Sequence, residues 1–103
     1  MIFILLLISY AFMIAADIYD VIMTTEGIKA GVAVEGNTWL IGDKPTALQL
    51  YARDSLVMVF CLAPSVVAHF LGNDPIAYGG LVSPVIFGIK HIQGGLAWKK
   101  LLK

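Results

Sequence analysis

Residues 2–24 read IFILLLISYAFMIAADIYDVIMT, and how this stretch is read decides the fold. Residues 2–16 are nearly unbroken apolar, and Asp17 and Asp20 then interrupt the run. A helix that crosses the hydrocarbon core of a bilayer needs about 20 residues at about 1.5 Å rise each. The segment therefore spans only with both aspartates inside it or near its end. A cleaved secretory signal is the competing reading, with Ala15 and Ala16 ahead of the cut. Such signals carry a positively charged amino-terminal region, and none is present here. The stretch is expected to remain as the first of three transmembrane helices.

Composition points the same way. Of 103 residues, 59% are hydrophobic and 14% charged, whereas a soluble domain holds about half apolar and about a quarter charged residues. A chain this short cannot bury so much apolar surface in a core of its own, so lipid is the natural solvent and residues 1–103 form a single membrane domain. The formal net charge is zero, which argues against a nucleic-acid partner, because phosphate binding needs a basic surplus. The lone cysteine, Cys61, excludes an internal disulfide and reads as a small hydrophobe in an apolar stretch.

Outward from the first segment, residues 27–45 form a connector punctuated by Gly27, Gly31, Gly36 and Gly42. Within it, residues 32–34 and 39–41 are apolar enough to lie at headgroup level. A second helix is expected over 46–71, with Pro45 just ahead of Thr46 and a bend at Pro64. Gly72, Asn73, Asp74 and Pro75 make a tight turn, and a third helix follows over 76–93. Gly80, Pro84 and Gly88 recur along it at every fourth residue, with Gly79 and Ser83 beside them. Small residues at that spacing allow close helix packing in lipid. Residues 96–103 form a short amphipathic tail, with Trp98 at the interface and Lys99, Lys100 and Lys103 in water or against anionic lipid. The fold class is all-α.

Orientation follows from charge. With three antiparallel spans, Lys29, Lys44, Arg53, Lys90, Lys99, Lys100 and Lys103 all fall on, or nearest to, the connector-and-tail side. The positive-inside rule places that side in the cytoplasm and the amino terminus outside the cell membrane, a bacterial inner membrane or its equivalent.

Ionisable residues inside membrane segments are costly and face protein or water. Asp17, Asp20 and Thr24 share one helix face, which Tyr10 and Met13 continue. Arg53 and Asp54 lie about 10 Å inside the second helix, at the depth of Asp17 on an antiparallel neighbour. Arg53 is expected opposite Asp17 or Asp20. Asp54 then needs another donor, with His91 and Lys90 the nearest candidates, and Glu35 and Asn37 of the connector are placed to fold over the cluster. The face that begins at Asp54 continues through Cys61, Ser65 and His69. Such a cluster serves either as a register-fixing ion-pair network or as a proton, ion or metal site. No established metal-ligand spacing or nucleophile motif appears, so neither a metal nor a cofactor nor an enzymatic activity is expected.

Residues 17–37 carry Asp20, Thr24, Gly31, Glu35 and Asn37 in a pattern that resembles an uncharacterised family of small bacterial membrane proteins. That family pairs an intramembrane Asp and Thr with a later Gly…Glu-x-Asn-Pro. Thr38 stands here at the proline position. The resemblance implies a multi-helix membrane protein and no particular activity. The architecture is also similar to that of three-helix phage holins, with an outside amino terminus and a lysine-rich cytoplasmic tail. The expected function is that of a non-enzymatic membrane protein acting as an oligomer or as an accessory subunit of a larger complex. The alternatives are a holin-type pore former and a minimal ion or proton channel or carrier. The expected partners are the lipid bilayer and further copies or other membrane subunits.

Overall fold

The computed structural model describes residues 1–31, 35, 42 and 44–102, and four helices account for most of these described residues. They are α1 (Ile2–Lys29), α2 (Ala47–Phe70), α3 (Asp74–Gly79) and α4 (Val82–Leu102). No strand occurs among the described residues. The apolar connector segments 32–34 and 39–41, together with Gly36, Asn37 and Lys103, lie outside them. By length and composition, α1 and α2 are each able to cross a membrane.

The first helix runs past the expected end at Thr24, because Gly27 does not break it. A side chain at Gly27 would collide with the indole of Trp98, so this glycine admits a neighbour rather than ending a helix. The stop comes at Gly31, whose φ of 70° is left-handed, and Lys29 in the last turn complements the helix dipole. The second helix begins where expected. Thr46 accepts from the Gln49 amide at 3.2 Å, and the Gln49 side chain accepts from the Thr46 amide at 2.9 Å. This reciprocal cap satisfies two donors that the first turn cannot use.

The expected third helix over 76–93 is two helices. After α2, Gly72 turns with φ 77°, and Asn73 caps the short α3 by accepting from the Ile76 amide at 3.3 Å. Helix α3 stops at Gly79 and α4 starts at Val82. Pro84 explains the break, because it has no N–H for the Gly80 carbonyl and its ring would strike that carbonyl in a continuous helix. Restarting at Val82 puts Pro84 in a first turn, where a missing donor costs nothing. The amphipathic tail is likewise no separate element. Helix α4 continues through it to Leu102, and Trp98 is buried against α1.

Pairings along the helices fix their directions. Phe12 lies by Gly88, Asp20 by Gly94 and Gly27 by Trp98, so α1 and α4 run parallel. Ile2 clusters with Ala68 and Ala77, and Met13 with Met58 and Phe87, so α2 runs antiparallel to both. The result is a slab of 50 × 25 × 16 Å.

Small residues line its seams, but not as one stripe. Gly80 faces α2, where an added Cβ would meet Ser65, including its backbone nitrogen at 3.2 Å. Gly88 and Gly95 face α1, against Phe12 and Tyr19. Pro84 is fully buried between them in sequence. Gly79 and Ser83, expected beside the seam, are exposed. Tyr10 is also largely exposed, while Met13 of the same predicted stripe is fully buried.

The adjacent glycines give a controlled test. Gly80→Leu should destabilise the fold by about 1–3 kcal/mol, the usual cost of overpacking, because the Ser65 backbone cannot move aside. Gly79→Leu, with open space around its Cβ position, should leave the unfolding midpoint in detergent close to wild type. Equal midpoints for the two variants would show that the Gly80 contact carries no weight.

Candidate functional site

Three helices deliver charged groups to one level of the slab. Helix α1 supplies Asp17, Asp20 and Thr24 on one face, α2 supplies the neighbours Arg53 and Asp54, and α4 supplies His91. Asp17 and Asp54 are each only 2% exposed and Arg53 7%. All six of these predicted cluster residues therefore meet in space, although 37 residues separate Asp17 from Asp54 and 37 more separate Asp54 from His91.

The pairing differs in detail from the expectation. The donor sought for Asp54 is its own neighbour: Arg53 Nε donates to Asp54 Oδ1 at 3.0 Å. Consecutive residues point about 100° apart on a helix and ordinarily do not face each other, so sequence spacing gives no hint of this bond. The long guanidinium stem makes it by folding back along α2. Asp20 is held instead by His91, whose Nδ1 lies 2.7 Å from Asp20 Oδ2. Thr24 Oγ1 donates to Asp20 Oδ1 at 3.3 Å. The same imidazole nitrogen lies 3.6 Å from Asp17 Oδ1, and the Phe87 ring, 4.1 Å away centre to centre, packs on its face.

Among the described residues, Asp17 Oδ1 and Asp54 Oδ2 are buried without a hydrogen-bond partner. One carboxylate oxygen from each of these aspartates and a ring nitrogen of His91 form a set of three potential ligand atoms, all within 4.8 Å of one another. A pocket of about 210 Å³ adjoins the cluster, lined by Asp20, Glu35, Arg53, Lys90, His91, Gly94 and Trp98. The connector residue Glu35 thus reaches the site as expected, while Asn37 lies outside the described residues. On the other side, Asp17 also lines a more apolar pocket of about 340 Å³ with Tyr10, Tyr51, Ser55 and Met58.

Sequence reasoning missed Gly94 and Gly95. A Cβ at Gly94 would stand 2.9 Å from Asp20 Oδ1, and one at Gly95 only 3.4 Å from the Asp20 Cα. These glycines let the Asp20 carboxylate reach the α4 backbone and the imidazole one turn earlier. The signal was present as a Gly-Gly pair three residues after His91, but it fell just past the expected end of the third helix at residue 93.

The continuation of the α2 face is not one site. Cys61 is half-buried among apolar side chains, and Ser65 is fully buried against Gly80. His69 stands edge-on to Phe3, with its Nδ1 3.5 Å from Asp74.

Comparison of the chain with protein-family models, with characterised proteins and with solved structures finds no match.

The Arg53–Asp54 pair is buried on both sides, so removing one partner strands the other. Arg53→Ala should cost about 3–5 kcal/mol, the scale for an orphaned buried charge, seen as a lower unfolding midpoint and lower accumulation. The double change Arg53→Leu with Asp54→Leu should recover most of that loss. A single variant that melts like wild type would remove the pair from any structural role.

Proposed function

We propose that this chain is a small, non-enzymatic integral membrane protein that crosses the bilayer three times and works as an oligomer or as an accessory subunit of a larger membrane complex. The observation that carries this reading is the distribution of polarity across the slab. Its charged cluster is buried, while Phe3, Ile4, Leu7, Ile8, Val59 and Phe60 of α1 and α2 stand more than half exposed. Soluble monomers rarely expose contiguous apolar surface on this scale, whereas a hydrocarbon core about 30 Å thick matches it. Helix α4 serves as the third span. Its parallel packing on α1 carries it through the same depth, and its Lys90 and His91 lie toward the charged level rather than the apolar end.

The direction of the charges supports the orientation. Lys29, Lys44, Lys99 and Lys100 gather at the end of the slab where α1 and α4 finish and α2 begins, so this end is cytoplasmic and the amino terminus lies outside. Thickness supports the oligomer or subunit reading over a solitary channel. One helix with its side chains is about 10–12 Å across, and a slab 16 Å thick has no room to enclose a water-filled path. A conducting route would run between copies. The ion or proton reading keeps one specific support, the pair of unpartnered carboxylate oxygens beside His91.

Two measurements on the intact protein test the proposal. Reporters fused after residue 103 should be active only in the cytoplasmic orientation. Crosslinking in native membranes should give discrete species heavier than the monomer. A tail outside the cell overturns the topology, and a protein that stays monomeric and unassociated in its own membrane overturns the oligomer-or-subunit role.

A further inference from the structure

We propose that Asp17, Asp54 and His91 bind a divalent transition-metal cation of the Zn²⁺ or Mn²⁺ type, with one ligand from each of α1, α2 and α4. Five observations converge on it. Asp17 Oδ1 and Asp54 Oδ2 are buried and have no hydrogen-bond partner, a costly condition for carboxylate oxygens unless something positive sits on them. One carboxylate oxygen each of Asp17 and Asp54 and a ring nitrogen of His91 all lie within 4.8 Å of one another. Metal–oxygen and metal–nitrogen bonds of about 2.0–2.2 Å hold tetrahedral ligand atoms about 3.3–3.6 Å apart, so side-chain rotation that draws the set together by up to about 1.5 Å closes it.

Charge supplies the third observation. Metal ligands bind deprotonated, and in that state Asp17, Asp20 and Asp54 bring three negative charges to the cluster and Arg53 one positive. With a neutral imidazole the balance is two negative charges, which a divalent cation cancels. The fourth is the supporting shell. Arg53 occupies the other oxygen of Asp54, Asp20 engages Nδ1 of His91 and so leaves Nε2 as the nitrogen for the metal, and Thr24 holds Asp20. Ligands are commonly fixed this way by neighbours that do not themselves touch the metal. The fifth is access and room. Asp20, Arg53 and His91 line the 210 Å³ pocket beside the set, which leaves space for the waters that complete a coordination sphere.

The donor set selects the class of cation. Two carboxylates with one imidazole suit Zn²⁺, Mn²⁺ and similar ions. Calcium prefers six to eight oxygens and magnesium keeps most of its water. All three ligands come from one chain, so the site stands whether or not the protein oligomerises.

The test uses the full-length protein in detergent, stripped with a chelator and titrated with Zn²⁺ alone, Mn²⁺ alone and Mg²⁺ alone. Wild type should take up one equivalent of Zn²⁺ or Mn²⁺ per chain, with a raised unfolding midpoint, and should ignore Mg²⁺. Asp17→Asn and Asp54→Asn should each weaken binding by at least about tenfold. Asp74→Asn, an exposed carboxylate near His69, should bind as wild type does. X-ray absorption at the metal edge should show an imidazole among oxygen ligands. The proposal is overturned if wild type binds neither Zn²⁺ nor Mn²⁺ at about 1 mM. It is also overturned if both aspartate variants bind as tightly as wild type. The wild-type titration decides the first outcome without depending on how any variant folds.

Discussion

Buried charge in an apolar slab is the constraint on which the rest of this structure depends. Three carboxylates and a guanidinium sit where water is scarce, and each needs a partner at hydrogen-bond distance. Arg53 meets Asp54 along α2, and His91 meets Asp20 across the α1–α4 contact. The second contact fixes the rotation of α4 against α1, whereas the first lies within α2. Turning α4 by one residue would carry His91 about 100° away from Asp20. Apolar packing alone is permissive, since Leu and Ile pack against almost any neighbour. The polar contacts choose the register among the many that packing allows.

Glycine makes that register reachable. In the proposed membrane setting, apolar side chains gain little from meeting each other, and close backbone approach and polar bonds would supply the association. Gly27, Gly88, Gly94 and Gly95 line the parallel contact between α1 and α4, where each admits a bulky or charged group from the opposite helix. Two of them accept aromatic rings, Trp98 and Phe12, and the Gly94–Gly95 pair accepts Asp20 and Tyr19. Shape and charge are therefore coupled, because the glycines that permit tight packing also bring the aspartate to the histidine.

The helical class, the start of α2 and the membership of the charged cluster were legible in the sequence. Their signals are local or additive: an apolar run of helix length, a Thr–Gln cap, and charges at matching depth on antiparallel segments. Three things were not legible. Gly27 reads as punctuation and Gly94–Gly95 falls past the expected end of a helix, because a glycine that ends a helix and one that receives a ring look alike until the ring is placed. The break at residues 80–81 was hidden by a regular four-residue spacing of small residues. Pro84 overrides that spacing, since its ring conflicts with the Gly80 carbonyl. The Arg53–Asp54 bond escaped because helical spacing disfavours adjacent pairs, and only a long, flexible arginine stem permits one.

The parallel pairing of α1 with α4 also sets an order of events during synthesis. The ribosome makes α1 first and α4 last, so the two helices that share the glycine contact are separated in time by the whole of α2 and α3. When α1 and α2 are complete, Asp20 still lacks His91, and the groove that Trp98 and Gly95 will fill on α1 is open. The nascent chain carries an unfinished polar face until α4 emerges. Assembly of the four helices is therefore closed by α4, and a chain cut short before α4 is recognisable by the carboxylate it leaves uncovered.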